Sequence, residues 1–494
     1  MKILMISPLS PDSFWSFKYA IKFLKKKATL PPLGLLTVAA LLPKNWEKKL
    51  VDMNIEKLSD KDILWADYVF IGAMVIHRKS VEEIINRCKK LNVKTVAGGP
   101  LFTMEYEFYS DKIDHLVLNE AEVTLPGFIK DIVSGTAKHT YTSDEFSDVS
   151  KSPIPLWGLI DVHKYASLSI QYSRGCPFHC DFCNVTSLFG RMMRKKSVTQ
   201  IIDELDYMYD TGYRGSVFFV DDNFIGTVSY LKNTLLPALM KWKQDHLEIY
   251  FFTQVSINLA DDDDLMEMMR VAGFDQVFIG IETPSNDGHA EAGKTQNHNR
   301  DLVGDIKKIQ RNGMQVQAGF IVGFDSDSPS IFQDQIDFIQ KSGITTAMVG
   351  LLQAPEGTKL YDRMLKEKRI TNQMSTDVLD ASTNIIPVSM DIDTLQKGYR
   401  YILTKIYSPK YYYQRIKIFL AEYKNHGMKE QVSLVRLMAF ARSMFVIGVL
   451  GKERFHYWNL LIWTSLNHPS HFPTAVNLSI IGFHFRKTVK VYVK

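Results

Sequence analysis

Short apolar runs alternate with amphipathic stretches between residues 2 and 135 of the chain. The runs KILMIS, KKLVDMN, YVFIGAM, KTVAGG and DHLVLN predict strands, while VEEIINRCKKL and LPGFIKDIV predict helices. Strands that alternate with helices are typical of a doubly wound parallel sheet with helices on both faces. Such sheets bind ligands beyond the carboxyl ends of their strands, so this part of the chain is predicted to be a ligand-binding domain.

The same alternation returns after residue 165 with even spacing. Six apolar runs predict strands here, namely SLSIQYS, SVFFVDD, EIYFFTQVS, QVFIGIET, QVQAGFIVGF and TTAMVGLLQ. Amphipathic helices separate the runs; in one of them Ser197 and Gln200 fit a capping box at the start, and Gly212 marks the end. Six strand–helix units predict a partial (β/α)6 barrel, whose active site lies at the carboxyl ends of the strands.

These patterns predict an α/β chain of 494 residues in four parts. We expect a doubly wound domain over residues 1–140 and a partial barrel over residues 165–370. The segment 141–164 has no period and is rich in Ser, Asp and Pro, which predicts a linker. From residue 371 to 494 the sequence is helical and rich in aromatic residues, which predicts a C-terminal helical domain.

Composition narrows the classes of partner and the cellular compartment. The net charge of +5 arises from 59 basic and 54 acidic residues, a balance that gives no electrostatic footprint for nucleic acid. Four cysteines are too few for a disulfide framework, and the start MKILMISPLSPD lacks the pattern of a signal peptide. No apolar run approaches the roughly 18 residues of a membrane span. We therefore expect a cytoplasmic protein.

Three of the four cysteines lie in one loop, QYSRGCPFHCDFCN, directly after the first predicted barrel strand. Cys176, Cys180 and Cys183 have the spacing C-x3-C-x2-C, which suits a [4Fe–4S] cluster with one iron left open to a reactant. A zinc site completed by His179 is the alternative. Cys88 shares a helical face with apolar residues, which predicts a core position rather than a ligand; these are Val81, Ile84 and Ile85.

At this point the chain resembles the radical S-adenosylmethionine (SAM) enzymes, whose signature is this cysteine loop after the first strand of a partial barrel. The resemblance implies that Cys176, Cys180 and Cys183 hold the cluster. It also implies that SAM binds the open iron and is cleaved to a 5′-deoxyadenosyl radical. Asp221 and Asp222, in VDDNF, occupy the place of the family's Gly-Gly-Glu motif for the SAM amino group. The sequence departs from that motif, so either carboxylate remains a candidate, and a plain acidic turn is the alternative.

Further SAM contacts are implied at the later strand ends. Gln254 and Glu282 close apolar strands and would contact the ribose, while Gly319 and Ile321 in GFIVGF resemble the strand that approaches the adenine. Phe182, beside the third cysteine, is the remaining residue implied to contact SAM.

The first domain resembles that of the cobalamin-binding (class B) radical SAM enzymes through PPLGLL, GGP and NEAE. No D-x-H-x-x-G motif is present, which implies base-off cobalamin without a histidine ligand from that motif. Ile76 and His77 remain candidates to approach the cobalt. A histidine at the start of a helix is, however, often a solvated cap. The residues implied for cobalamin are Pro32, Gly34, Ile76, His77, Gly98, Gly99 and Glu120.

The C-terminal stretches TNIIPVSM, GYRYIL and YSPKYYYQR extend the resemblance to the family that contains the hopanoid C-2 methylases. It implies a C-methyltransferase acting on an unactivated carbon of a lipid or natural product, with a flavodoxin or ferredoxin as electron donor. Non-methylating cyclisation or oxidation, and a metal- or cobalamin-binding sensor, remain as alternatives. The aromatic residues of this region suit a substrate lid, peripheral membrane contact or plain helix packing; they are Tyr411, Tyr412, Tyr413, Trp458 and Trp463.

Overall fold

The computed structural model describes residues 1–371, 381–424 and 434–492. Residues 372–380, 425–433 and 493–494 of the predicted C-terminal domain lie outside this description. The chain forms two compact units. The first comprises Met1–Pro11, Lys27–Gly175 and Val185–Arg214, and the second comprises Asp12–Lys26, Cys176–Asn184 and Gly215–Lys494.

A parallel sheet forms the centre of the first unit, as its apolar runs predict. Its strands are β1 (Lys2–Ser7), β2 (Glu47–Asp52), β3 (Tyr68–Gly72), β4 (Lys94–Gly98), β5 (His115–Val117) and β6 (Thr140–Tyr141). They pair in the order β2-β1-β3-β4-β5-β6, with Ile6 opposite Ile71 and Gly72 opposite Gly98. The first unit also holds β7 (Ser167–Ile170) and the antiparallel pair β8 (Ser173–Arg174) and β9 (Arg194–Lys195).

Helices cover this sheet and bury its apolar side chains. They are α2 (Leu33–Leu41), α3 (Asp60–Trp65), α4 (Arg78–Lys90), α5 (Pro100–Met104), α6 (Tyr106–Tyr109) and α7 (Ala121–Ser134). The first unit also contains α8 (Val185–Phe189) and α9 (Val198–Asp210). The Ser197 side chain accepts from the Gln200 amide at 3.2 Å, which confirms the predicted capping box. Cys88 is fully buried in the core, as predicted, and burial raises the pKa of its thiol to about 11.

The predicted linker is partly folded within the first unit. Short 3₁₀ turns occur at Val149–Lys151 and Trp157–Leu159, and the Trp157 side chain is fully buried.

Within the second unit, five parallel strands pair in the order β10-β11-β12-β13-β14. Their bounds are β10 (Ser216–Phe219), β11 (Tyr250–Val255), β12 (Phe274–Glu282), β13 (Gln315–Val322) and β14 (Thr346–Leu351). Fully buried and half-buried residues alternate along β11, β12 and β13, because successive side chains point to opposite faces. The half-buried residues therefore share one face of the sheet.

Helices pack around this sheet and continue into the C-terminal region. They are α1 (Lys18–Ile21), α10 (Val228–Tyr230), α11 (Leu236–Lys243), α12 (Asp263–Ala272), α13 (Asn286–Glu291), α14 (Leu302–Arg311), α15 (Ile331–Ser342), α16 (Lys359–Lys366), α17 (Ile392–Ile406), α18 (Pro409–Glu422), α19 (Leu434–Ser443), α20 (Arg454–Asn467) and α21 (Phe472–Tyr492). A π-helical turn, Met444–Val449, extends α19. Among the described residues, no helix is both long enough and apolar enough to cross a membrane.

Candidate active site

The cysteine loop of the second unit is held by backbone hydrogen bonds. The Cys183 amide donates to the Cys180 carbonyl at 3.1 Å, which closes a turn between these two cysteines. Asp181 ties the loop to two other segments of the unit: its amide donates to the Ala292 carbonyl at 3.0 Å, and its carbonyl accepts from the Leu360 amide at 2.9 Å. Cys176, Cys180 and Cys183 are half-buried, whereas His179 is exposed. The loop therefore presents three thiols from a fixed backbone.

The segment that follows α13 lies against this loop. A Cβ atom on Gly293 would come within 3.2 Å of the His179 carbonyl oxygen, and φ of Gly293 is +64°. The Gln296 side-chain amide is 4.0 Å from the Cys180 sulfur. Burial raises the pKa of Cys180, and the neighbouring Lys294 opposes that rise by favouring the thiolate.

Lys294 forms a buried ion pair with Glu282, the residue that ends β12. Their side chains are only 9% and 10% exposed. Burial acts to lower the pKa of Lys294, but Glu282 and the cysteines raise it on balance, so the ammonium stays charged. A fixed positive charge beside three thiols lowers the energy of their thiolate forms.

The backbone is strained where β12 ends. Glu282 has φ of +64°, which is uncommon for a residue other than glycine, and the strand register shifts between Gly280 and Glu282. The Asn297 side-chain amide donates to the Gly280 and Ile281 carbonyls, both at 3.1 Å. His289 Nε2 lies 3.0 Å from the Ile281 carbonyl. These contacts fix the bulge that aims the Glu282 side chain at Lys294.

Several of the predicted SAM residues share the half-buried face of the sheet. Gln254 pairs in register with Phe278, and Gly280 pairs with Gly319. A Cβ atom on Gly319 would lie 3.2 Å from the Phe278 ring, so only glycine fits without a shift. Ile321 continues the row, and it packs with Phe182 of the cysteine loop against one apolar cluster.

The two candidate aspartates differ in exposure. Asp221 is fully buried, whereas Asp222 is half-buried. Asp222 also raises the pKa of Cys176, after burial as the main cause, so its charge acts on the cysteine loop. Of the two candidate aspartates, Asp222 thus combines partial exposure with an electrostatic effect on Cys176.

Two arginines of the first unit, Arg174 before the cysteine loop in sequence and Arg194 after it, bind two glutamates. Arg174 donates to both carboxylate oxygens of Glu122, at 3.0 and 2.6 Å. Burial tends to raise the pKa of Glu122, but Arg174 holds it at about 2. Arg194 donates to Glu120 at 2.7 and 2.6 Å, and the Ser147 amide donates to Glu120 at 2.8 Å. Both carboxylate oxygens of Glu120 are thus engaged inside this unit.

His77 is buried at the start of α4, only 7% exposed, so the solvated-cap interpretation is wrong. Its Nδ1 accepts from the Met74 amide at 3.2 Å, which places the ring proton on Nε2, 3.0 Å from the Ser10 hydroxyl. Burial lowers the pKa of His77 to about 4. The ring is neutral, and its one lone pair is occupied. Ile76, by contrast, is exposed.

The glycines of the first unit serve different purposes. A Cβ on Gly98 would lie 2.6 Å from the Val117 carbonyl, and one on Gly99, with φ of +97°, would lie 2.9 Å from the Ala73 carbonyl. Both glycines are therefore required by the packing of the chain on itself. Gly34 has open space where its Cβ would stand, and Pro32 beside it is half-buried.

The donor set of the loop fits an iron–sulfur cluster. In the described part of the chain, no three His, Cys, Asp or Glu side chains converge to hold a single metal ion. A [4Fe–4S] cluster needs a different arrangement, because each thiolate binds its own iron atom. Cys176, Cys180 and Cys183 supply three such thiols, and Lys294 and Gln296 add positive charge and a hydrogen-bond donor beside the sulfurs.

The fold and the cysteine loop define a class: a radical SAM enzyme that carries a cobalamin-binding domain. The radical SAM superfamily model matches residues 170–339, and the B12 binding domain model matches residues 23–129. A domain of unknown function (DUF4070) matches residues 358–494. The cofactors of this class are a [4Fe–4S] cluster, SAM and cobalamin, as the sequence predicted.

The relatives place the chain more narrowly. An uncharacterised methyltransferase of Synechocystis sp. is 35% identical over 98% of this chain and 91% of its own length. The hopanoid C-2 methylase of Rhodopseudomonas palustris is 32% identical over 93% of this chain and 89% of its own. The chain belongs to the family of cobalamin-dependent radical SAM methyltransferases, and it is an enzyme of that kind.

A solved structure has the same fold. The radical SAM methyltransferase TsrM from Kitasatospora setae, with cobalamin and a [4Fe–4S] cluster bound, matches with a TM-score of 0.60 over 99% of both chains. Its sequence is 14% identical, so this likeness concerns the fold alone.

Sequence reasoning missed Lys294 and Gln296 beside the cysteine loop. It also missed the ion pairs of Arg174 and Arg194 within the first unit. Arg174 stands next to the cysteine motif, which is a signal that could have found it. Lys294 and Gln296 are distant in sequence from the cysteines, and no periodic pattern distinguishes them.

Proposed function

We propose that this enzyme is a C-methyltransferase that methylates an unactivated carbon of a lipid or natural product. One observation carries the proposal: the relative that is 32% identical over 93% of the chain is a hopanoid C-2 methylase. The loop with three half-buried thiols supplies the site that this chemistry needs. When bound, the cluster and SAM supply a carbon radical, and cobalamin supplies the methyl group.

In this proposal, Cys176, Cys180 and Cys183 hold the cluster and leave one iron for SAM. Lys294 keeps a positive charge beside the thiolates, and the Gln296 amide donates toward Cys180. Hydrogen bonds and charge near the sulfurs set the reduction potential of such clusters. We therefore assign Lys294 and Gln296 to setting the reduction potential of the cluster.

The SAM contacts follow the half-buried face of the second sheet. Asp222, rather than the fully buried Asp221, is assigned to the SAM ammonium because its charge reaches the cysteine loop. Gln254 and Glu282 would both contact the ribose of SAM. Glu282 would make that contact while it keeps its ion pair with Lys294. The remaining assigned contacts, toward the adenine, are Phe182, Gly319 and Ile321.

Cobalamin is assigned to the loops at the carboxyl ends of the first sheet. Because the one lone pair of the His77 ring is occupied by the hydrogen bond from the Met74 amide, we assign base-off cobalamin without a histidine ligand. Ile76 is exposed and would face the lower side of the corrin. Gly34 borders open space and Pro32 is half-buried, so both are assigned to direct contact with cobalamin. Gly98, Gly99 and Glu120 would act indirectly, by fixing the backbone of the neighbouring loops.

The proposal also includes the partners and the organisation of the chain. A flavodoxin or ferredoxin would deliver the electron to the cluster, and the enzyme would work in the cytoplasm with contact to a membrane surface. The domains are proposed as 1–140 for cobalamin, 165–370 for the radical SAM barrel and 371–494 for the helical region, joined by residues 141–164.

The test is an anaerobic reconstitution with iron, sulfide and cobalamin. We expect about four irons per chain, a cobalamin absorbance, and both 5′-deoxyadenosine and S-adenosylhomocysteine when SAM, a reductant and a lipid extract are added. Cys176→Ala should lose the cluster absorbance and SAM cleavage. Cys88→Ala is the matched control, because it removes the one cysteine outside the loop and should keep both.

Two results would contradict the proposal at different points. If Cys176→Ala still cleaved SAM, the loop would not hold the reactive cluster. If the enzyme formed 5′-deoxyadenosine without S-adenosylhomocysteine or a methylated product, it would be a radical SAM enzyme that does not transfer methyl.

A further inference from the structure

Helix α20 is apolar on both of its faces. Tyr457, Leu460 and Leu461 point inward and are buried, as expected for a helix that packs on a core. The outward face carries a second stripe at spacings of three and four residues. It consists of Phe455, Trp458, Ile462 and Leu466, which are 74%, 39%, 58% and 79% exposed. A surface helix ordinarily presents polar residues on that face, so this stripe needs a partner.

The segment before α20 extends the same exposed surface. The Trp458 indole donates to the Gly448 carbonyl at 3.0 Å, and its ring lies 3.1 Å from where a Cβ on Gly448 would stand. The Ser443 hydroxyl lies 2.8 Å from the Tyr457 hydroxyl, which joins the inward faces of the two helices. Further exposed apolar residues lie along the first arm: Leu434, Leu437, Phe445, Val449 and Leu450. We call Leu434–Leu466 the apolar hairpin.

The exposed charges of the apolar hairpin are all positive. Its one acidic residue, Glu453, is buried and paired with Arg486 at 2.8 Å. Lys452 and Arg454 are exposed at the turn before α20, and Arg436 is exposed on α19. The Arg454 guanidinium lies 5.0 Å from the centre of the Phe455 ring, so cationic and apolar groups are adjacent.

An apolar face bordered by cations matches a negatively charged lipid surface. Interfacial helices bury an apolar face at the boundary of the headgroups and acyl chains, while Lys and Arg contact anionic headgroups. A second copy of the chain fits less well, because a two-fold interface would place these cations opposite one another. We infer that the apolar hairpin docks the enzyme on the surface of an anionic lipid bilayer.

The test is flotation of the full-length protein with lipid vesicles. We expect binding to phosphatidylcholine vesicles that contain about one quarter phosphatidylglycerol, and about tenfold weaker binding to phosphatidylcholine alone or in high salt. The triple variant Phe455→Ser, Ile462→Ser, Leu466→Ser should lose binding to both. The double variant Lys452→Glu, Arg454→Glu should lose the preference for anionic vesicles.

A matched control replaces three exposed apolar residues elsewhere: Leu64→Ser, Val133→Ser and Leu365→Ser. It should bind vesicles like the unaltered protein, and circular dichroism should show all variants folded. The inference is overturned if the unaltered protein does not float, or if the Phe455, Ile462, Leu466 variant still floats. A dimer that this variant dissolves, without vesicle binding, would instead assign the hairpin to self-association. The assay contains no SAM or cobalamin, so its outcome is independent of the methyl-transfer proposal.

Discussion

The buried ion pair of Lys294 and Glu282 makes a quantitative prediction. Lys294→Met removes the ammonium and leaves the Glu282 carboxylate with 10% of its side chain exposed. Breaking a buried pair from one side costs about 3–5 kcal/mol, because the remaining charge stays desolvated. An exposed pair contributes about 1 kcal/mol or less. The bulge at the end of β12 should therefore open far more readily in this variant.

Hydrogen–deuterium exchange of the protein without cofactors measures that opening. At about 1.4 kcal/mol for each factor of ten, the exchange rate of the peptide Phe274–Glu282 should rise by about two to three orders of magnitude. The double variant Glu282→Gln, Lys294→Met removes both charges and should recover most of the protection. Lys308→Met breaks the exposed pair with Asp263 in the same unit and is the matched control.

The reasoning is refuted if Lys294→Met changes the opening free energy by less than about 1 kcal/mol, the range of surface pairs. It is also refuted if the double variant loses as much protection as the two single variants added together. Either result would mean that Lys294 and Glu282 do not depend on each other.

Three further outcomes are expected. Asp222→Asn should weaken SAM binding by about ten- to a hundredfold in calorimetry, from the loss of a charge-assisted contact, while Asp221→Asn should lower the unfolding temperature instead; equal SAM affinities would contradict the assignment. His77→Ala should leave the electron paramagnetic resonance of bound cob(II)alamin base-off and free of nitrogen coupling; a change of axial ligand would contradict it. Burial raises the pKa of Asp327 from 3.8 to about 6, so protonation favours the fold. The stability that it contributes should be full below pH 4 and fall by about 3 kcal/mol as the pH rises through 6. Asp327→Asn should abolish this loss in urea denaturation, and an unchanged pH profile would refute it.

Local patterns predicted the parallel sheets because each strand is a short apolar run with its own boundaries. The runs KTVAGG and QVQAGFIVGF correspond to β4 and β13, and the Ser197 capping box lies where its spacing indicates. The burial of Cys88 was predictable for the same reason, because apolar residues recur every three or four positions on its face of the helix. In each case the determining contacts lie within a few residues of one another.

The environment of the site depends on contacts distant in sequence. Glu120 meets Arg194 across 74 positions, and the Gln296 amide reaches Cys180 across 116. The left-handed backbone of Glu282 is fixed by Asn297 and His289, and no residue preference predicts it. The buried His77 ring donates a hydrogen bond from Nε2 to the Ser10 hydroxyl, 67 positions away. Sequence patterns indicate only local periodicity. They could not predict which residues distant in sequence contact one another at the site.

Transfer of a labelled methyl group tests the central claim most directly. The reconstituted enzyme is incubated anaerobically with SAM labelled in its methyl group, a reductant and lipid extract, with and without cobalamin. We predict a labelled lipid that forms only with cobalamin, together with 5′-deoxyadenosine and S-adenosylhomocysteine in equal amounts. Unlabelled product, or 5′-deoxyadenosine that forms equally well without cobalamin, would contradict the account.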